Sequence, residues 1–223
     1  MTTATEPTPT RSPLRVVLLA VIAVGLVLLG GGLAVALGVG RDDAPGPSAV
    51  DVGFSRDMAR HHLQGVEMAN LALERSDDPA VRGLAFDIAS TQNNQVGRMH
   101  GWLALWGYSP TGGDVMAWMS GGGSGHSGHA TGTGGSVLMP GMATEEELAT
   151  LRSLDGTAFD VEFLRLMMRH HQGGLEMAEH AVEHARTSVV RSLAQAIAES
   201  QTAETTLMAD MLAARGGTPL PAP

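Results

Sequence analysis

His61-His62 and His170-His171 are the two adjacent pairs among the nine histidines of this 223-residue chain. Imidazole ligates metals, carries protons near neutral pH and forms hydrogen bonds when buried. The surroundings of the pairs narrow that choice. They sit in matching blocks, Arg60-His61-His62-Leu63-Gln64-Gly65-Val66-Glu67-Met68-Ala69 and Arg169-His170-His171-Gln172-Gly173-Gly174-Leu175-Glu176-Met177-Ala178. A shift of 109 positions superposes them, and the match runs without a gap from Phe54 over Phe163 to Gly107 over Gly216. Roughly two residues in five are identical along it. A repeat this long is a duplicated domain half rather than a solenoid unit.

Helical spacing selects the partners of these histidines. Phe54, Met58, His61, Gly65, Met68 and Ala72 recur at intervals of four and three, as do Phe163, Met167, His170, Gly174, Met177 and Ala181. That is the seam of a packed helix. It buries the first histidine of each pair, with a glycine one turn on leaving room beside the ring. The following helix of each half has polar groups at mid-seam, Gln92 and Gln95 in one and Gln201 and Glu204 in the other, then Met99 and Met208.

Folding each hairpin back at its turn sets His61 between Gln92 and Gln95, and Met58 beside Met99. In the copy His170 meets Gln201 and Glu204, and Met167 meets Met208. Buried polar groups are costly without partners. The layer therefore predicts either a bound transition metal or a hydrogen-bonded network of the same residues. His62 and His171 fall at the seam's edge, as ligands or as partners of ligands. Glu67 and Glu176 turn further away and are the outermost metal candidates. Glu176, His180, Glu183 and His184 share one flank of the second copy. A histidine pair at i, i+4 can chelate, but Leu71 and Arg75 replace those histidines in the first copy, so this flank reads as a solvated face.

A second source of ligands lies between the halves. Met116 and Met119, His126 and His129, and Met139 and Met142 are pairs spaced by three within a Gly/Ser-rich loop. Thioether and imidazole without carboxylate favour Cu(I) or Ag(I) over Mg, Ca or Mn. Copper is the ion expected, and either the loop or the bundle core could bind it.

Positioning these residues takes helices, and the chain reads as helical throughout its folded part. Long helices are expected over 51–76, 79–106, 157–186 and 188–215. Asp78 and Pro79 suit the N-cap and first position of the second, and Gly107 and Gly216-Gly217 suit the stops. Thr144-Glu145-Glu146-Glu147 is a capping box opening a short helix to Leu154. Residues 1–13 read as a disordered cytoplasmic tail, 14–40 as a membrane segment and 41–50 as a linker. The first hairpin is 51–107, the loop 108–143, the short helix with the second hairpin 144–216, and the tail 217–223. Two hairpins joined by a crossover loop predict an all-α four-helix bundle.

Val16 to Gly40 is 25 residues without a charge, ample for a hydrocarbon core of about 30 Å. Arg11 and Arg15 precede it and Arg41-Asp42-Asp43 follows, so the positive-inside rule leaves the N-terminus cytoplasmic and the rest outside. A cleaved signal peptide is the rival reading, because Ala34-Val35-Ala36 resembles a cleavage site; both readings export the domain. A net charge of −9 with no basic stripe argues against nucleic acid. The absence of cysteine removes disulfides, thiolate metal sites, a cysteine nucleophile and a lipid-attachment cysteine.

Met139-Pro140-Gly141-Met142, Phe159-Asp160, Phe163 and Met168 through Ala178 together resemble the family called domain of unknown function 305, over roughly residues 50–216. The resemblance implies a ferritin-like four-helix bundle, exported or membrane-tethered, with some relatives linked to periplasmic copper binding. The first copy departs from the pattern at Leu63 and Gln64, and it has Gln95 where the second has Glu204.

Three functions follow. One is a membrane-anchored extracytoplasmic copper-binding protein that sequesters or passes on the ion, its oligomeric state left open. A second is a metal-free, membrane-anchored interaction module. The third is a ferritin-like di-metal oxidase, which calls for four carboxylates and a Glu-x-x-His on each of two helices; the seam offers only Glu204. No nucleophile–base pairing, phosphate loop or organic-cofactor motif points to an ordinary enzyme.

Overall fold

A computed structural model describes residues 13–37, 39, 46–120 and 138–223. Among the described residues the chain is all helical: α1 (Pro13–Ala36), α2 (Ala49–Arg75), α3 (Pro79–Leu105), α4 (Glu145–Ser153), α5 (Gly156–His184) and α6 (Ser188–Ala214), with a short 3-10 turn at Ala117–Met119. Two compact units result, Met1–Ala44 and Pro45–Pro223. In the first, Leu14–Ala36 is long and apolar enough to cross a bilayer by length and composition, and none of it is buried.

In the second unit α2 begins at Ala49, inside the stretch expected to be linker, because Ser48 caps it. Asp51 N–H donates to the Ser48 hydroxyl at 3.3 Å, and the Asp51 carboxylate accepts from Ser48 N at 2.7 Å. The same carboxylate accepts from Arg186 N at 3.0 Å and Thr187 N at 2.9 Å, at the start of α6. One buried acid thus satisfies orphan N–H groups of two helices. Burial alone would raise its pKa; hydrogen bonds from Ser48 and Thr187 outweigh that and hold the carboxyl below its ordinary value.

Asp78 opens α3 by accepting from Ala80 N at 2.8 Å. Gly107 and Gly216, at φ 77° and 69°, follow the ends of α3 and α6 in the left-handed conformation that glycine adopts without strain.

α2 packs along α3, α5 along α6, and α2 against α5. The apolar core forms two clusters. One gathers Met68, Ala72, Val81, Leu84, Leu148, Leu151, Phe159, Phe163, Met167 and Met208; the other gathers Phe54, Met58, Met99, Trp118, Met139, Met177, Leu193 and Ile197. α2 enters the second cluster with its first half and the first with its last half, and α5 does the reverse. The two helices therefore run antiparallel, and the histidine blocks meet midway, where one cluster gives way to the other.

Candidate metal centre

The antiparallel pairing of α2 with α5 stacks His61 on His170, with ring centroids 3.8 Å apart and planes inclined by 29°. His61, His62, His170 and His171 all have no exposed surface. Gly65 and Gly174 do make room, though for other groups than the ring of their own block. A methyl group at Gly65 would collide with Gln92 Oε1 and come within 2.9 Å of His170 Cε1. At Gly174 it would come within 2.8 Å of the Gln201 amide. The glycines admit the neighbouring helix's glutamine and, at Gly65, the other half's imidazole.

The hydrogen bonds assign the ring nitrogens. His61 Nε2–H donates to the Pro140 carbonyl at 3.0 Å, and His170 Nε2–H donates to the His61 carbonyl at 2.9 Å. His171 Nε2–H donates to Glu204 Oε2 at 2.6 Å. In each of the three, Nδ1 is buried without a partner. Gln92 Oε1 and both amide atoms of Gln201 are unpartnered too. Burial pushes the His61 imidazole down to about 4, against the opposing hydrogen bond to Pro140. Burial and then the charge of His61 push His62 down to about 3. The buried Gln95 opposes that fall, although neither ring nitrogen of His62 has a well-formed partner. His170 is also held well below the ordinary histidine value, by burial first and then by His61 and His171. Near neutral pH, His61, His62 and His170 are uncharged, as a metal ligand must be.

The Pro140 carbonyl belongs to a strap laid across the layer. Met142 N–H closes a turn onto the Met139 carbonyl at 3.2 Å, with Pro140 and Gly141 at its centre. Gly141 has φ 77°, and a side chain there would run into the Arg169 carbonyl. A side chain at Gly173 would run into the Pro140 carbonyl. Gln64 grips the strap's end, donating to the Ala143 carbonyl at 2.9 Å and accepting from Ala143 N at 2.7 Å. Arg169 holds Glu147 of α4 by two bonds of 2.7 Å. Sequence reasoning missed this docking. Its signal was the mismatch between copies, since Gln64 and Gly173 occupy equivalent positions and both serve the strap.

The thioethers of the two halves fall in different core clusters. Met58 and Met99 are buried at one end with Met139 and Met177, and Met116, Met119 and Met142 pack partly buried against the same cluster, as do Trp102 and Trp106. Met167 and Met208 lie in the other cluster with Met68 and Met168. Glu67 and Glu176 are exposed, and Glu67 pairs with Arg152. His126 and His129 lie outside the described residues. Among the described residues, no three His, Asp or Glu side chains sit together as a preformed metal cage.

Fold and site define a duplicated four-helix bundle with an imidazole layer at its centre. The chain belongs to the DUF305 family, a domain of unknown function, whose family model matches residues 51–212. It is similar to a DUF305 protein of Streptomyces coelicolor described as secreted, at 44% identity and a TM-score of 0.68, over 77% of this chain and 97% of that one. It is similar to a DUF305 fragment from Deinococcus radiodurans at 31% identity and a TM-score of 0.61, over 76% and 99%. A more distant likeness is to CopM in its Cu(II)-bound form, at 26% identity and a TM-score of 0.56, over 73% and 95%; the Cu(I)-bound form is 25% identical. Among curated proteins none matches.

Proposed function

We propose that this chain binds copper outside the cytoplasm, tethered by α1 with its N-terminus inside, and sequesters the ion or passes it on without catalysis. The carrying observation is the set of buried imidazoles whose Nε2–H groups are committed to oxygen acceptors while their Nδ1 atoms have no partner. A ring fixed through one nitrogen, with the other left over, is the usual arrangement of a metal-ligating histidine. His61 and His170 are the primary ligands in this reading, with His62 and His171 beside them and Gln92, Gln201 and Glu204 as oxygen donors. The methionine-rich end, Met58, Met99, Met116, Met119, Met139 and Met142, supplies the soft sulfur that Cu(I) prefers. Met167 and Met208 flank the layer on its far side, while Glu67 and Glu176 stay in solvent. The likeness to CopM, solved with Cu(I) and with Cu(II), supports copper as the ion.

The competing reading is a metal-free interaction module whose polar layer serves packing, and the lack of a preformed cage among the described residues favours it. Titrating the detergent-solubilised full chain with Cu(I) against a chromophoric chelator separates the two. Stoichiometric copper, weakened about 10-fold or more in His61→Ala/His170→Ala, is expected of the binder. If no stoichiometric copper binds and those variants change only thermal stability, the interaction module is correct.

A further inference from the structure

His180 and His184 lie one turn apart at the end of α5, outside the central layer. Their ring centroids are 4.4 Å apart, with planes inclined by 50°. One ion bound about 2.0–2.1 Å from two imidazole nitrogens needs those atoms within about 4 Å of each other. Rings this close reach that geometry by small torsional adjustment. His184, whose side chain is 53% exposed, opens the pair to solvent, and Glu183 lies 3.6 Å from it. The C-terminal end of a long helix also favours a cation.

Distant residues hold His180 in place. Asp57 Oδ2 accepts from Trp118 Nε1 and from Met116 N, both at 2.8 Å. Trp118 sits over Gly53, where any side chain would collide with the indole, and meets the Phe54 ring edge-on at 5.8 Å. The indole in turn meets His180 at 5.4 Å and 68°. That edge-on contact fixes the plane of the His180 ring. Burial, with the charge of His184 adding, keeps the His180 pKa below its ordinary value. Nothing in the first copy matches this arrangement, since Leu71 and Arg75 stand in the equivalent positions.

We propose that His180 and His184 form a second, solvent-facing site for a borderline divalent ion, Cu(II) above all, with Trp118 as the residue that orients it. Two imidazoles one helical turn apart suit Cu(II), Ni(II) or Zn(II), and Cu(II) binds such donors most tightly. The site is independent of the central layer and stands or falls separately.

The test is a Cu(II) titration of the detergent-solubilised full chain, followed by tryptophan emission and by EPR. Cu(II) quenches the indole beside His180 to saturation, its EPR signal carries nitrogen couplings, and excess EDTA reverses the quenching. His184→Ala, at an exposed position, and His180→Gln each weaken binding about 10-fold or more. His61→Ala/His170→Ala keeps the quenching. Unchanged titrations in both His184→Ala and His180→Gln would overturn the proposal, as would a Cu(II) signal lost only in the central-layer variant. Circular dichroism melts of all variants check that the bundle is intact.

Discussion

Gly173 and Gly174 are neighbours in sequence, yet they face different kinds of atom. A methyl group at Gly173 meets the Pro140 main chain, whereas at Gly174 it meets the far end of the Gln201 side chain. A side-chain amide can swing aside, and a docked backbone cannot without lifting the strap. Gly173→Ala is therefore expected to destabilise by about 1–3 kcal/mol and Gly174→Ala by less. Thermal melts of the two variants check the order. The histidines make a pH prediction for the metal-free protein. The folded-state values of His61 and His62, about 4 and about 3, lie below the ordinary 6.5, so the unfolded chain binds protons first as pH falls. Their contribution is complete above about pH 6.5 and shrinks below it, by about 2 kcal/mol each at pH 5. Asp51 and Glu147, held below their ordinary values, add losses only at still lower pH. Urea unfolding at pH 7.5, 6 and 5 measures the histidine part, and a flat profile would contradict it.

At the scale of the element, the two copies handle one buried acid differently. Asp51 caps α2 and α6 through backbone N–H groups. Its equivalent, Asp160, has Arg215 Nε at 3.9 Å instead, and Arg215 also pairs with Asp78 at the start of α3. Asp51→Ala removes a cap from two helices at once and is expected to cost about 2 kcal/mol or somewhat more. Amide exchange should then speed up at Arg186 and Thr187 as well as in the first turn of α2. The strap is tied by fewer bonds. Gln64→Ala removes both side-chain bonds to Ala143, so proteolysis near residue 140 and exchange of the Ala143 amide should rise while the four long helices persist. Equal protection in wild type and variant would show that Gln64 is not the clamp.

For the whole molecule, the division into two units makes a separate prediction. None of the apolar stretch of α1 is buried, and the bundle carries both core clusters within Pro45–Pro223. A chain beginning at residue 45 is therefore expected to melt within a few degrees of the full-length protein and to leave the membrane fraction. Fractionation with differential scanning calorimetry checks both parts. A large fall in melting temperature on removing α1 would mean that α1 supports the fold.

Periodicity and punctuation determined much of this protein from its residues alone. Seam spacing, the Asp78-Pro79 cap, the Thr144–Glu147 capping box and the stops at Gly107 and Gly216 act within a few residues of themselves. They make helices wherever they occur, and a seam that recurs 109 positions further on makes two hairpins. That the first histidine of each pair is buried also follows from local spacing. Only the tertiary structure decided what each ring touches. The crossing of α2 and α5 stacked His61 on His170, sent the thioethers of the two halves to opposite ends, and brought the Pro140 carbonyl to His61 from 79 residues away. The tie from Asp57 through Trp118 to His180 is of the same kind. Such contacts depend on how whole helices and loops dock, and docking is set by the summed shape of many side chains, which no short window of sequence contains.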